Sequence, residues 1–253
     1  MRNFTSHSRS FAERPNRFER RVAAALAAAA LLLSAIGCET TSFFARKPSP
    51  APQIDSTKSA LAAIRESRDP GLRHAAFEYL GNPKHLGSDA GDRNEITTIL
   101  GLAVQSEPDA QNRITIMHSI ERIGSPKQFE ALAPAVSDKD DRVRIAACRL
   151  LGKAGTPEAA SNLDYLLISD SSLDVRLAAA DALGHIPTRE AAMSLLTGIE
   201  DPDVAIRYRC RQSLKKITGK DHAGNVGEWR QEIQTANFEE LAGRKHSLRA
   251  KRG

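Results

Sequence analysis

The stretch "DRVRIAACRLLGKAG", residues 141–155, decides the fold, because similar stretches recur along the chain. Counted from its second arginine, Arg144, apolar residues stand three, seven and ten positions further on. This spacing places them on one face of an α-helix. The same pattern around an arginine occurs in GLRHAAFEYLG (71–81), QNRITIMHSIERIG (111–124), LDVRLAAADALGHIP (173–187) and VAIRYRCRQSLKKITG (204–219).

The repeats have a regular period and two halves. The last four of the five aligned arginines are separated by 31, 32 and 31 residues. A period of this size, with helical sequence in both halves, predicts an all-α solenoid of about five helix pairs. The arginine-bearing helices are expected to form the inner row and the other helices the outer row. The outer segments are EITTILGLAV (95–104), QFEALAPAV (128–136), AASNLDYLLI (159–168) and EAAMSLLTGI (190–199).

An acidic residue accompanies the arginines at a fixed distance. It stands six residues before the arginine in four of the five units, and Ser67 takes its place in the first. An acid in the turn, an arginine in the second helix and a Leu-Gly ending, as at Leu151-Gly152, resemble the pattern of HEAT repeats. The resemblance covers about residues 57–219 and implies a right-handed superhelix with a hydrogen-bonded ladder along the stack. The implied ladder residues are Glu107, Arg113, Asp138, Arg144, Asp170, Arg176, Asp201 and Arg207.

Regularly spaced arginines could instead bind phosphate groups. The matched acids favour the structural interpretation, because a carboxylate beside each arginine would already satisfy its charge and its hydrogen-bond donors. The single tryptophan, Trp229, lies in an amphipathic segment after the last repeat. Because a solenoid needs a cap over its last core face, this residue is predicted to be a core residue of the cap, with ligand stacking as the alternative.

The N-terminal part of the chain has the layout of an export signal. Residues 1–21 contain six arginines and two acids, and residues 22–37, VAAALAAAALLLSAIG, carry no charge. A basic region followed by an apolar region is typical of a signal peptide. As a helix the apolar region spans about 24 Å, short of the ~30 Å hydrocarbon core of a membrane. An uncleaved membrane anchor and an apolar helix packed on the folded domain are the alternatives.

The apolar region ends at a cysteine. The segment LSAIGC, residues 33–38, resembles the lipobox of bacterial lipoproteins, in which small residues precede the cysteine that becomes lipidated. The resemblance implies cleavage of residues 1–37 and acylation of Cys38, by palmitate among other acyl chains. It also implies attachment to a membrane of the cell envelope, facing the periplasm. Glu39 after the cysteine favours the outer membrane.

Three segments follow the predicted cleavage site. Residues 38–56 contain prolines at positions 48, 50 and 52, which favour extended backbone and predict a semi-rigid spacer. Residues 57–235 are predicted to form the repeat domain and its cap. Residues 236–253 are expected to be a disordered basic tail, with contact to an anionic envelope polymer or lipid as the alternative.

The positive net charge comes from the two ends of the chain. Subtracting the six arginines and two acids of residues 1–21 from the total of 36 basic and 31 acidic residues leaves 30 and 29. Five of the 30 basic residues lie after residue 243, so that residues 38–240 carry 25 basic and 29 acidic residues. This slightly acidic body argues against a nucleic-acid-binding array.

Residue patterns of enzymes do not occur in the sequence. The seven histidines lack the paired helical spacing that would place two imidazoles on one metal ion. There is no glycine-rich phosphate loop, nucleophile elbow or cysteine–histidine cluster. The segment SDAGDRNE (88–95) lacks the ligand order of a calcium loop and is predicted to be a solvated insertion. We therefore expect a protein that is not an enzyme and that holds no cofactor or metal.

Basic residues cluster on the last arginine-bearing segment, namely Arg209, Arg211, Lys215 and Lys216. They predict a patch at one end of the concave face that attracts an anionic partner, with a solvated terminal helix as the alternative. The expected function is a lipid-anchored scaffold whose concave face binds a protein partner. HEAT-like arrays are also similar to phycobilin lyases, so the alternative is a cytoplasmic enzyme or enzyme accessory of that type.

Overall fold

The computed structural model describes residues 53–86 and 89–243. This part of the chain is helical and contains no β-strand. Two 3-10 helices, Pro83–His85 and Ala133–Ser137, follow the second and fifth α-helices, and residues 238–243 are also helical. The α-helices are α1 (Thr57–Glu66), α2 (Pro70–Leu80), α3 (Ala90–Ser106), α4 (Ala110–Ile123), α5 (Gln128–Leu132), α6 (Asp141–Ala154), α7 (Pro157–Ser169), α8 (Leu173–Leu183), α9 (Arg189–Gly198), α10 (Val204–Thr218) and α11 (Val226–Thr235).

The first ten helices form five pairs, from α1/α2 to α9/α10. Each even-numbered helix packs against the even-numbered helices of the neighbouring pairs and forms the inner row. The outer helices from α3 to α9 stack in the same way. This arrangement confirms the predicted all-α solenoid, with the arginine-bearing segments as the inner helices.

Several inner helices begin at an aspartate. The side chains of Asp69, Asp109, Asp140 and Asp203 each accept a hydrogen bond from a backbone N–H in the first turn of the helix that follows. An N-cap of this kind stabilises a helix by about 1 kcal/mol, because it satisfies an N–H that has no partner within the helix. The polar turn residues therefore set where the inner helices start.

The core lies between the two rows of helices. Positions three and seven after each aligned arginine are fully buried in all five units, as the helical period predicts. Burial of such apolar surface contributes roughly 25 cal/mol per Å² and is the main force that holds one pair on the next. These core residues are Ala76, Leu80, Ile116, Ile120, Ala147, Leu151, Ala179, Leu183, Cys210 and Leu214.

The glycine of the Leu-Gly ending has a packing role. A Cβ atom added to Gly152 would lie 2.7 Å from the Cα and 2.8 Å from the Cβ of Ala182 in the next inner helix. A Cβ on Gly184 would likewise lie 2.8 Å from the side chain of Ser213. Glycine at this position therefore allows neighbouring inner helices to approach closely.

The segment predicted as a solvated insertion belongs mainly to an outer helix. Asp89 caps α3 by accepting a 3.0 Å hydrogen bond from the N–H of Gly91, and residues 90–95 form the first turns of this helix. With 17 residues α3 is the longest of the described helices. Its first turns are mostly exposed, so the prediction of a solvated segment holds while its helical structure was missed.

The C-terminal cap is formed by α11, which packs on the last outer helix, α9. Trp229 is fully buried, and its indole N–H donates a 3.1 Å hydrogen bond to the carbonyl of Ala223. It is therefore a core residue of the cap, as predicted. The expectation of disorder for residues 236–253 is wrong for 238–243, which form a helical turn with the guanidinium of Arg189 over the ring of Phe238.

Several predicted features lie outside the described residues. These are the signal peptide, Cys38, most of the proline-containing spacer and the basic residues of the tail after residue 243. Within residues 53–86 and 89–243, no helix is both long enough and apolar enough to span a lipid bilayer.

Candidate functional site

The arginines and acids form a ladder that links successive repeats. The guanidinium of Arg113 donates hydrogen bonds of 2.7 and 2.8 Å to the two carboxylate oxygens of Asp138, and Arg73 binds Glu107 with two bonds of 2.8 Å. Such bidentate pairs are charge-assisted and geometrically specific. The four rungs are Arg73–Glu107, Arg113–Asp138, Arg144–Asp170 and Arg176–Asp201.

Ladder arginines also donate hydrogen bonds to the turn between the two helices of their own repeat. Nη1 of Arg113 donates a 3.0 Å hydrogen bond to the carbonyl of Glu107, and Nη1 of Arg144 donates one of 2.8 Å to the carbonyl of Asp138. The acids accept further bonds from the following turn, for example 2.8 Å from the N–H of Ser172 to Asp170. One arginine thus joins its own turn to the next repeat.

The register of the ladder is offset by one repeat from the pattern in the sequence. Each acid binds the arginine of the preceding repeat, not the arginine six residues after it. Arg73, absent from the predicted ladder, is therefore a member, and no described arginine of a preceding repeat lies where Ser67 would have to pair with it. Arg207 binds only the carbonyl oxygens of Asp201 and Pro202, and no described carboxylate pairs with it.

The opposite charges of the ladder residues compensate each other. Burial raises the pKa of the Glu107 carboxyl, but the hydrogen bonds from Arg73, Asn112 and the N–H of Asp109, together with the charge of Arg73, outweigh this effect, and the resulting pKa lies below its usual value. Burial also raises the pKa of Asp170, whereas the hydrogen bonds and charge of Arg144 and the N–H of Ser172 lower it, and the resulting pKa again lies below its usual value. The hydrogen bond to Asp170 in turn raises the pKa of Arg144. These arginines are engaged by carboxylates, which disfavours the phosphate-binding interpretation.

The predicted basic patch is divided into two parts. Arg211 donates hydrogen bonds of 2.8 and 2.9 Å to the carboxylate of Asp221, and Lys215 lies 3.3 Å from the same group. These two residues stand four and eight positions after Arg207. In the other repeats these positions face the next pair, as Gly152 does. Both residues therefore lie on the side of α10 against which a further pair would stack.

The other two residues of the patch turn towards the fourth repeat. The guanidinium of Arg209 lies 3.5 Å from the carboxylate of Asp181. The ammonium of Lys216 lies 2.6 Å from Nε2 of His185, and burial lowers its pKa. Three of the four basic residues thus have an acidic neighbour, and the four do not form one continuous surface.

An apolar stripe runs along the inner row at the edge of the core, against which its residues pack. The residues one position after the ladder arginines in the three middle repeats, Ile114, Ile145 and Leu177, are all half-buried. Four residues further along the helices stand His118, Arg149 and Asp181. No described acid forms an ion pair with Arg149, which is exposed at the centre of this row.

The described residues offer no clustered group for catalysis or metal binding. No three His, Cys, Asp or Glu side chains among them lie where they could hold one metal ion. Cys148 and Cys210 are buried free thiols, and burial raises the pKa of each to about 12. Because the thiolate is the reactive form, these cysteines are inert near neutral pH.

Two surface cavities exist in this part of the chain. One of about 360 Å³ lies between the first two repeats, lined by Arg73, Phe77 and Glu107 among others. The charges of Arg73 and Glu107 are already paired with each other in the ladder, and Arg68 also lines the cavity. The other, of about 490 Å³, lies beside the cap and is lined by Arg189 and Phe238, which stack on each other.

Stacked helix pairs joined by an arginine–carboxylate ladder define an α-solenoid repeat protein. Residues 97–170, which include two rungs of the ladder, match the family model described as HEAT repeats, so that this part of the chain carries HEAT repeats. A search of the curated proteins finds no match.

Solved structures of low sequence identity are similar to this chain. The complex of CpcE and CpcF of phycocyanin lyase from Nostoc sp. matches with a TM-score of 0.51 and 21% identity, over 72% of this chain and 70% of that chain. Human deoxyhypusine hydroxylase in complex with glycerol matches at 0.46 and 19%, over 65% and 74%. An engineered protein matches at 0.44 and 17%, over 74% and 93%. At this identity the likeness concerns the fold alone.

Proposed function

We propose that this protein is a lipid-anchored, extracytoplasmic repeat scaffold that binds a protein partner on its inner face. The observation that supports this function is the half-buried stripe of Ile114, Ile145 and Leu177 beside the charged row of His118 and Arg149. Protein interfaces combine an apolar centre with a polar rim in this way. The fold likeness to a structure solved as a complex of two proteins agrees with a role in protein–protein interaction.

The size of the inner face suits a macromolecule. Neighbouring helices pack about 8–10 Å apart, so about five inner helices form a surface roughly 40–50 Å long. A standard interface buries about 800 Å² on each partner, which a surface of this length can provide. In each of the two cavities, in contrast, two of the lining residues already contact each other, Arg73 with Glu107 and Arg189 with Phe238.

The inner face is tested by a pair of substitutions at its centre. Ile145→Asp/Arg149→Glu replaces an apolar contact and reverses the unpaired charge, while the ladder and the buried core stay intact. The partner is captured from solubilised membranes with the tagged wild-type chain, identified by mass spectrometry and produced pure. We expect its affinity to fall by about tenfold or more for this variant.

Controls separate the inner face from other surfaces. Leu102→Asp/Tyr165→Glu likewise introduces two acids, at residues that are exposed on the outer helices α3 and α7. This variant should bind the partner as the wild type does. The triple charge reversal of Arg209, Arg211 and Lys215 tests the predicted basic patch. Equal binding by the inner-face variant and the wild type contradicts the proposed face.

The anchor is tested independently of the partner. The export layout of residues 1–37 and the lipobox-like segment before Cys38 support it. Intact-mass spectrometry of the protein from its native membranes should show a chain that starts at Cys38 and carries a diacylglyceryl group or three acyl chains. A chain that begins at Met1 in the soluble fraction contradicts the anchor and the extracytoplasmic location.

A second candidate is an enzyme or enzyme accessory of the phycobilin-lyase type. Its support is the fold likeness to phycocyanin lyase, which by itself does not carry an activity. The full chain can be incubated with a linear tetrapyrrole, alone and with an acceptor protein that has a free cysteine. A covalent, coloured adduct on the acceptor supports this candidate, and unchanged absorbance contradicts it.

A further inference from the structure

The last inner helix ends the ladder with an unfilled rung. In the four preceding repeats the guanidinium holds a carboxylate of the next repeat. Arg207 uses only Nη1, which donates bonds of 2.8 Å to the carbonyls of Asp201 and Pro202. Its Nε and Nη2 have no partner among the described residues, although they occupy the position that binds an acid elsewhere in the array.

Two exposed apolar residues flank this arginine on α10. Val204 and Tyr208, three positions before and one after it, are 69% and 61% exposed. Their counterparts on α8 are Leu173, which is 41% exposed, and Leu177, which is half-buried. Within the array the following repeat therefore covers these positions only in part. Val204, Arg207 and Tyr208, here named the end face, form the surface that a sixth repeat would cover.

The cap leaves this surface open. Helix α11 packs on the outer helix α9. The loop after α10 folds back only on the C-terminal half of α10, where Asp221 binds Arg211 and Lys215. No described residue covers the N-terminal half, which carries the end face. The cap thus closes the hydrophobic core but not the ladder.

The charge of the surface indicates what covers it. Arg207, Arg211 and Lys215 are balanced on this side of α10 only by Asp221. A second copy of this chain stacked head to tail would bring its first repeat, but Ser67 stands there in place of the acid. A second copy stacked in this way therefore does not supply the missing carboxylate.

We propose that the end face docks a helical segment of another protein, which places an Asp or Glu carboxylate on Nε and Nη2 of Arg207. An apolar residue of the same segment covers Val204 and Tyr208. The contact reproduces a rung of the ladder between two chains, with hydrogen bonds of the 2.7–2.9 Å seen between Arg144 and Asp170. Tyr208 stands at the register position of Ile114, Ile145 and Leu177, so this surface adjoins the inner face at the last repeat.

Site-specific photocrosslinking in the full chain tests the proposal. A photoreactive phenylalanine, benzoylphenylalanine, replaces Tyr208 in the native cells. The matched control places it at Tyr165, which is 62% exposed on the outer helix α7. We expect an adduct with one other protein from position 208 and not from 165, at a helical peptide that contains Asp or Glu.

Second substitutions show whether the rung itself is used. Arg207→Gln removes the charge and should lower the yield of the adduct by about tenfold or more. Because Arg207 also fastens its own turn, Val204→Asp is a second test that leaves this arginine in place and should have a similar effect. A charge exchange should restore the adduct: Arg207→Glu with the partner's acid replaced by arginine.

Other outcomes overturn the proposal. These are equal yields from positions 208 and 165, an adduct with a second copy, and an adduct with residues 1–52 of the same chain. The proposal is also overturned if neither Arg207→Gln nor Val204→Asp lowers the yield of the adduct. The inner-face variant Ile145→Asp/Arg149→Glu should leave the adduct unchanged. If it abolishes the adduct, the partner sits on the inner face and the end face is not an independent site.

Discussion

Arg144 and Asp170 lie in successive repeats, and the guanidinium of Arg144 donates hydrogen bonds of 2.7 and 2.9 Å to the two carboxylate oxygens of Asp170. Both side chains are largely buried. Removal of one partner from a buried pair leaves the other charge without compensation, which costs about 3 kcal/mol. Loss of one partner should therefore weaken the stacking of α6 on the next repeat about as much as loss of a core side chain.

Replacement of Arg144 by alanine should lower the free energy of unfolding by about 3 kcal/mol. Urea unfolding followed by circular dichroism measures the effect. Arg149→Ala is the matched control, because it lies on the same helix but is exposed, and it should change the stability by less than about 0.5 kcal/mol. The double variant Arg144→Met/Asp170→Leu, which removes both charges, should recover most of the loss. Equal effects of the two single alanine variants would contradict a structural ladder.

Acid should weaken the array through the same rungs. The pKa values of Glu107 and Asp170 are lower in the folded chain than their usual values. The stability that these carboxylates add is therefore complete above the unfolded pKa of about 4, and it is lost as the pH falls through the folded pKa. Melting temperatures should stay level from neutral pH to about pH 5 and fall below that. In Arg73→Met/Glu107→Leu the fall should be smaller, and an identical profile contradicts the assignment to this rung.

Substitution of Gly152 should separate two inner helices. An added Cβ would lie 2.7 Å from the backbone of Ala182, and a backbone cannot yield as a flexible side chain does. We expect Gly152→Ala to lower the free energy of unfolding by about 1–3 kcal/mol and Gly152→Val by more. Gly224 has nothing within 4 Å of an added Cβ, so Gly224→Ala is the control and should be close to neutral. Thermal melts of the three variants would show whether the helices can relax apart.

Loss of the capping tryptophan should loosen the C-terminal end of the solenoid. Trp229 is fully buried against the last outer helix, and replacement by alanine should cost about 3–5 kcal/mol. Repeats depend mainly on their neighbours, so the loss should be largest in α9 to α11 and smallest in α1 and α2. Hydrogen exchange resolved by segment measures this gradient. A uniform loss of protection along the chain would indicate one cooperative unit in place of separate repeats.

The thiols provide a simple measure of processing. Burial raises the pKa of Cys148 and Cys210 to about 12, so neither should react with a thiol reagent in the folded protein. If Cys38 carries a thioether-linked lipid, the native protein should show no reactive thiol and the denatured protein two. The variant Cys38→Ser should be equally unreactive when folded. One rapidly reacting thiol in the wild type contradicts lipidation of Cys38.

Much of the fold could be read from the sequence because helical periodicity is local. The spacing around Arg144 and its four counterparts identified the inner helices, and the ten positions chosen as their core face are all fully buried. Trp229 was identifiable as a cap residue because a solenoid must cover its last core face. The helical turn over 238–243 was missed, since its basic, polar composition conceals the contact of Phe238 with Arg189.

Pairing between repeats could not be read in this way. Asp138, the acid of the repeat pattern, stands six residues before Arg144 and contributes only its carbonyl, whereas the acid that binds the side chain of Arg144 is 26 residues away. Likewise, Arg209 and Arg211 belong to one basic cluster in the sequence, but packing directs one towards Asp181 and the other towards Asp221. The sequence alone therefore determined the repeat, its helices and its buried face, which depend on contacts within a few turns. The stacking of one helix pair on the next decided the register of the ladder, the division of the basic residues and the unfilled rung at Arg207.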